Sequence, residues 1–427
     1  MKRRLLFLLL GGYLCATAAS AQITLQECRQ KAQANYPLVK QYRLLELSAQ
    51  YDLENAAKGN LPQLSVSGKA SYQSDATKLP FTMPGISFTG LPKEQYQVVA
   101  EVKQNIWDGG AIRAQKKQTQ AVAEEALRQT DTSLYRLNER VDQLFFGILL
   151  QEEQLRQNRL LLEELERNRK QVESYIRNGV ANEADMDAIR TEILSTRQKR
   201  IAIEADKQAY VRMLALLTNE QWEGEVTLAK PELPLISSEI HRPELAWYAA
   251  RLHRIDTREQ ALKTAFRPHF MLFAQGGAGN PGLNMLKSGF EPFYIIGAKM
   301  SWNFSPLYTL KNDRLKLEAQ RQSVANEREA FLLDTRIQMA EQEKAAEALR
   351  RQMEEDDEII RLRNNVRKAA EAKVAGGTLS VTEMLRELTN ESLARQEKAL
   401  HEIQWLMTLY RREYLTRPHS EANQTNP

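Results

Sequence analysis

Cysteine is almost missing from this chain: two occur in 427 residues, Cys15 and Cys28. That excludes a disulfide scaffold and any C-x-x-C zinc site. Long apolar runs are missing too. Beyond residue 21 no stretch of 18 apolar residues occurs, which excludes a polytopic helical membrane protein. An excess of one charge is also absent. Lys+Arg 59 against Asp+Glu 55 gives +4, too balanced for a nucleic-acid binder. The five histidines form no H-x-H or H-x-x-x-H pair, and no Ser–His–Asp or paired-carboxylate constellation is visible. No enzyme, metal site or cofactor is therefore expected. Hydrophobic residues make up 42%, enough to bury a core.

Residues 1–21 read as a secretory signal peptide. Lys2-Arg3-Arg4 is a charged start, Leu5 to Leu10 an apolar centre, and Ala19-Ser20-Ala21 a small-residue cleavage site. Cys15 follows the bulky Leu14, which argues against lipoprotein processing. Cleavage removes three positive charges and leaves +1 and a single cysteine, Cys28. The mature chain works outside the cytoplasm.

Proline is distributed unevenly, and that pattern sets the architecture. None occurs in 93–230 or in 307–417. Between 111 and 178 the only glycine is Gly147, and the second stretch has none before Gly376. Such stretches predict helices about 100 Å long at 1.5 Å per residue. A register of 198 residues relates Ala100 to Ala298, Gly179 to Gly377, Met186 to Met384 and Thr191 to Thr389. Upstream, Pro37 and Pro62 relate to Pro243 and Pro268 by 206 residues, and a longer loop in the first copy absorbs the difference. The reading is two internal repeats. The first, 22–230, holds a helix from about 37 to 58, a strand pair within 62–107, a long helix 111–178 and a return helix 183–218. A linker follows at 231–242. The second, 243–417, holds a helix, a strand pair within 268–304, a long helix 307–375 and a return helix 380–416. Residues 418–427 form a tail.

The long helices carry rows spaced by seven: Leu134, Val141, Ile148, Leu155, Leu162, Arg169, Ile176, and Leu332, Met339, Ala346, Met353, Ile360, Arg367, Val374. That period predicts coiled-coil packing. Arg169 and Arg367 read as snorkelling or capping residues near a helix end. The strands alternate with period two. Leu64, Val66, Tyr96 and Val98, then Phe270, Leu272, Tyr294 and Ile296, fall on the apolar phase. Strands of this kind suit a transmembrane β-barrel with a wet interior. A soluble β-sandwich alternates in the same way. Two strand pairs cannot close a barrel alone, and lipid does not tolerate open edges, so a membrane reading needs several chains in one barrel. Gly277-x-Gly279-x-x-Gly282 reads as loop punctuation after a strand, because no helix follows it. The acidic run 354–358 reads as a solvated helix surface. Residues 79–92 read as a long external loop.

Several segments resemble the TolC-like outer-membrane efflux and secretion channels. They are Thr24-Leu25-Gln26-Glu27-Cys28, Leu61-Pro62-Gln63-Leu64-Ser65, Ile106-Trp107-Asp108-Gly109-Gly110, Tyr175-Ile176-Arg177-Asn178-Gly179-Val180 with Asp185-Met186, and Gly377-Thr378-Leu379-Ser380-Val381-Thr382-Glu383-Met384-Leu385. The resemblance spans about 24 to 417. It implies a mainly α protein with β strands: a homotrimer with four strands per chain in one twelve-stranded transmembrane barrel. That barrel continues into a long periplasmic α-helical coiled-coil barrel. It implies a passive exit duct in the outer membrane of a Gram-negative-type bacterium, extending into the periplasm. Its implied partners are a periplasmic adaptor, an inner-membrane efflux pump or ABC-type exporter, and outer-membrane lipid, with no nucleic acid. The lipid-facing residues would be the eight strand positions above. Adaptor contact would fall at the tips Gly179, Val180, Gly377, Thr378 and Leu379. The periplasmic entrance would hold Asp185, Glu383 and Arg386. Arg386 stands where the family carries a second acid, which suggests pairing with Glu383 within or between chains. Asp185 and Asp187 also fit ordinary N-terminal carboxylates on a helix dipole. The competing reading is a soluble periplasmic coiled-coil adaptor or structural protein.

Overall fold

The structure is a computed structural model, and it describes residues 22–76, 90–222, 226–285, 287 and 289–417. The expected signal peptide, the C-terminal tail beyond Arg417 and most of the 79–92 loop lie outside the described residues. In chain order the elements are α1 (Leu25–Asn35), α2 (Pro37–Lys58), β1 (Gln63–Tyr72), β2 (Glu94–Trp107), α3 (Ala111–Arg177), α4 (Glu183–Thr218), α5 (Pro243–Leu262), β3 (His269–Asn280), β4 (Glu291–Ser301), α6 (Pro306–Ala375) and α7 (Val381–Thr416). No described helix is long and apolar enough to cross a membrane.

The chain divides into two compact units. One takes Leu134–Ile240, Ile337–Arg417 and the described residues before Pro37. It is helical, and its largest core joins α1, α3, α4 and α7. Cys28 and Ala32 of α1 pack with Val141, Phe145 and Ile148 of α3, Leu214 of α4 and Leu406 of α7. Alpha1 starts at a reciprocal capping box, in which Thr24 and Glu27 exchange side-chain and backbone hydrogen bonds. Inside this core Arg29 donates to both oxygens of Asp142, at 2.7 and 2.6 Å. Burial alone lifts the Asp142 carboxyl above the usual carboxylate range, and Arg29 partly offsets that. The seven-residue rows lie largely inward: Leu134, Val141, Ile148, Ala346 and Val374 are buried.

The other unit takes Pro37–Ser133 and His241–Arg336. It holds one antiparallel sheet in the order β1-β2-β3-β4 and a helical cluster around Tyr248, Ile255, Leu317 and Val324. The turn from β2 into α3 is set by three consecutive residues. Asp108 accepts from the Gly110 and Ile112 amides, at 2.9 and 2.6 Å, which caps the helix start. Gly109 sits at φ +66°, where an added Cβ would lie 2.7 Å from the Cβ of Arg267. Only glycine meets both demands.

Of the Gly277-x-Gly279-x-x-Gly282 segment only Gly282 falls in the loop after the strand. Gly277 and Gly279 lie inside β3, and a Cβ on them would come within 2.5 Å of the Val98 carbonyl and 2.8 Å of the Tyr96 carbonyl. The glycines let β3 approach β2 closely.

Candidate functional site

Two places in the molecule carry the residues singled out from sequence: the helix turns of the first unit and the sheet of the second. Each is described by itself.

Both helix turns are built the same way. Alpha3 and α6 end two residues before glycines in the left-handed region, Gly179 at φ +73° and Gly377 at φ +68°. The Val180 amide bonds the Tyr175 carbonyl at 2.9 Å and the Gly179 amide bonds Ile176 at 3.0 Å. At the second turn Thr378 bonds Lys373 and Gly377 bonds Val374, both at 2.9 Å. This is the Schellman pattern, which satisfies the last carbonyls of a helix. Nothing lies within 4 Å of a Cβ placed on Gly179, so the turn demands glycine for its φ and not for room. Beneath the turns, Leu165, Val172, Met186, Val374, Met384 and Leu388 share one core. Val180 remains 43% exposed. Leu379 packs partly against that core, and Thr378 donates its hydroxyl to the Lys373 carbonyl at 3.1 Å.

The return helices start at capping boxes. Asn182 and Asp185 exchange bonds at 3.0 and 3.1 Å. Ser380 and Glu383 do the same at 3.3 and 3.2 Å, and the Ser380 hydroxyl adds a bond of 3.0 Å. Asp185 and Glu383 thus bend back onto their own helices. Within the chain, Glu383 and Arg386 do not pair. The Ser380 donors hold the Glu383 carboxylate, and Arg386 reaches Glu387 at 3.6 Å instead, with its side chain 71% exposed. Asp187 pairs loosely with Arg190 at 3.5 Å.

An ionic cluster near the second turn escaped the sequence reading. Arg367 of α6 bonds Glu391 of α7 at 2.6 Å and Glu164 of α3 at 2.9 Å, and it also pairs with Glu371. Glu391 is buried and accepts further bonds from Asn364 at 3.1 Å and Arg395 at 2.6 Å. Burial alone would raise the Glu391 carboxyl, but the bonds from Arg395, Arg367 and Asn364 hold it below the usual carboxylate range. Neither row arginine caps a helix. Arg169 pairs with Glu166 at 2.9 Å, and Arg197 of α4 joins the same carboxylate at 3.0 Å. Glu166 and Glu371 stand at helical spacing from these arginines, whereas Glu164, Glu391 and Arg197 lie too far along the chain to be read from local spacing.

The acidic run is not simply a solvated surface. Asp356 is buried against His401 Nδ1 at 2.8 Å, and Asp357 takes Lys398. Among the described residues no group of three or more His, Cys, Asp or Glu side chains could hold a metal ion.

The sheet places its apolar phase on one face. Strand register lines up Leu64, Val102, Ala274 and Ile296 across all four strands, and Val66, Ala100, Gly276 and Tyr294 in the next row. Tyr96, Val98, Phe270 and Leu272 share that face, and all eight singled-out residues are exposed, from 41% at Phe270 to 77% at Tyr294. The opposite face is polar on β1 and β2, with Ser65, Ser67, Lys69 and a Glu101–Lys103 pair. It is not polar throughout. Phe273 lies opposite Gly297 and Phe293 opposite Gly277, with each ring against the glycine facing it. The rings fill the space the glycines leave open.

Residues 28–220 match the family model of the outer membrane efflux protein. No curated protein sequence matches the chain. Solved structures do. The fold is similar to CusC, a protein described for its transmembrane channel formation, at 15% identity and a TM-score of 0.69 over 93% of this chain and 92% of that one. It is similar to the outer membrane protein VceC of Vibrio cholerae, at 13% identity and 0.66 over 91% and 95%. It is also similar to the outer membrane channel MtrE of Neisseria gonorrhoeae in its open state, at 16% identity and 0.65 over 93% and 90%. Residues 28–220 are thus similar to the outer membrane efflux protein family, and the chain as a whole takes the fold of these outer membrane channels.

Proposed function

We propose that three copies of this chain form one exit duct of a tripartite efflux pump or type I secretion system. Each copy contributes four strands to a twelve-stranded barrel. The long helices of the two repeats, 22–230 and 243–417 joined at 231–242, form the periplasmic tube. The observation that carries the reading is the sheet. It has a continuous exposed apolar face, and β1 and β4 are its two unpaired edges among the described residues. Apolar residues on that face suit lipid, and edges in lipid must be closed by further chains. The duct supplies no energy of its own. A periplasmic adaptor meets it at Gly179, Val180, Gly377, Thr378 and Leu379, and an inner-membrane pump or ABC-type exporter drives the cargo. Asp185, Glu383 and Arg386 stand beside those turns at the periplasmic entrance.

The test is the mass and shape of the detergent-extracted particle, by light scattering and negative-stain imaging. A trimer with a tube about 100 Å long beyond the micelle is expected. A monomer or dimer that needs no micelle would overturn the reading. The strand phase has its own test: Val98→Asp abolishes membrane assembly, whereas Lys103→Gln on the other face leaves it intact. Equal membrane yields would invert or erase the assigned faces.

A further inference from the structure

A groove of about 730 Å3 runs along α3 and α4. Leu155, Val211, Ala215 and Leu216 line it, with Trp222 beside them. Leu216 is 74% exposed. Arg159 and Arg212 line it as well, and neither has a hydrogen-bond or ion-pair partner among the described residues. An open apolar strip flanked by two unpaired guanidiniums fits a ligand that is itself apolar and carries a carboxylate.

The same unit presents such a segment. Residues 230–235 are neither helix nor strand. Lys230 meets Glu402 at 3.5 Å, and the Tyr410 hydroxyl donates to the Glu232 carbonyl at 2.9 Å, so the segment is tied to α7 of its own chain. Past those ties, Leu233 is 63% and Leu235 93% exposed, the latter the most exposed large apolar side chain among the described residues. The Glu232 side chain has no partner among the described residues. Pro231 and Pro234 restrict the backbone to an extended form, so little entropy is lost when the segment docks.

We propose that Glu232–Leu235 of one copy docks in the α3–α4 groove of a second copy, with Leu233 and Leu235 on the apolar strip and Glu232 against Arg159 and Arg212. The segment does not serve its own groove, because in its own chain it is tied to α7 and its leucines stay exposed. Segment and groove are different patches of one surface. Their contact is therefore heterologous, and contacts of that kind close into a ring when the rotation between copies closes, as a trimer requires. Each copy gives its segment to the next and receives one from the previous. The inference rests on the trimeric reading above and names one of its contacts.

The test uses two full-length copies co-expressed with different affinity tags, one bearing Leu235→Cys and the other Leu216→Cys. Membranes are treated with a short bis-maleimide. Cys28 is 1% exposed and its thiol is pushed up to about 12 by burial, so it does not react. A covalent dimer carrying both tags is expected, with none when both copies bear the same substitution. Adding Arg159→Glu and Arg212→Glu lowers its yield about fivefold or more through charge reversal. A particle that is trimeric by light scattering but yields no mixed dimer would overturn the docking contact alone. A particle that is not trimeric would overturn the trimeric reading together with it.

Discussion

The two helix turns share a backbone and differ in what lies beneath. Gly179 and Gly377 stand 198 residues apart, and both close a Schellman bond pair. Alpha4 and α7 each run 36 residues behind a capping box. Ten residues into each return helix the likeness ends. Ile193 and Glu391 occupy corresponding positions, and each is 4% exposed. One is an apolar pin in the core. The other is a carboxylate holding two arginines and an asparagine. Backbone geometry at the turns is thus separable from the way the helices are tied together. A buried ion pair adds little net stability over a well-packed apolar pair, but losing one partner is costly. The second turn is therefore the one that a single substitution can release.

The largest expected effect is Glu391→Ala, which costs about 3 kcal/mol because the bonds of one buried carboxylate to Arg367, Arg395 and Asn364 are lost together. Hydrogen exchange along α7 should quicken by about two orders of magnitude, while α4 keeps its protection. Equal loosening of both helices would end the comparison. The double variant Glu391→Ile with Arg367→Met replaces the buried ion pair of the second turn by apolar side chains, Ile being the residue of the first turn at that position. It should come within about 1 kcal/mol of the parent or exceed it. Next come Gly179→Ala and Gly377→Ala. Each forces a side chain into the left-handed region at about 1–2 kcal/mol, and the two costs should match, since the turns bond alike. Thermal unfolding of each variant checks the match. Asn182→Ala and Ser380→Ala follow at about 1 kcal/mol each, the worth of a cap. The smallest effect is with pH. The Glu391 carboxyl is held below its ordinary value, so its contribution is fully present above the unfolded carboxyl pKa of about 4.3 and is lost as pH falls through the lower folded value. Between pH 8 and 5 the second turn should hold steady. In stronger acid the protection of α7 should fall before that of α4.

Local signals were legible and long-range ones were not. Pro37 and Pro243 open α2 and α5, as proline at a first helical position does. Gly179 and Gly377 mark the turns because only glycine relaxes there. Period-two alternation placed Leu64, Val66, Tyr294 and Ile296 on one face. Alpha1 was legible through the likeness of its opening, Thr24 to Cys28, to the family's first helix, and Thr24-x-x-Glu27 is also a capping-box signature. The reading of Arg367 as a snorkelling or capping residue failed because Glu164 lies about 200 residues away, and no spacing rule reaches that far. Asp185 and Glu383 were visible as acids at helix starts. Their engagement by Asn182 and Ser380 follows from the same local code, which within the chain takes Glu383 away from Arg386.

Cys28 has a consequence for how the chain travels. A protein of the outer membrane crosses a compartment where thiols are readily oxidised. With the expected signal peptide removed, this chain would carry one cysteine there, Cys28, whose thiol is almost wholly un-ionised once α1 is seated. Its reactivity is then a clock. Alkylation can proceed only while α1 is undocked, so the rate at which Cys28 falls silent in newly exported chains times the closing of the helical core.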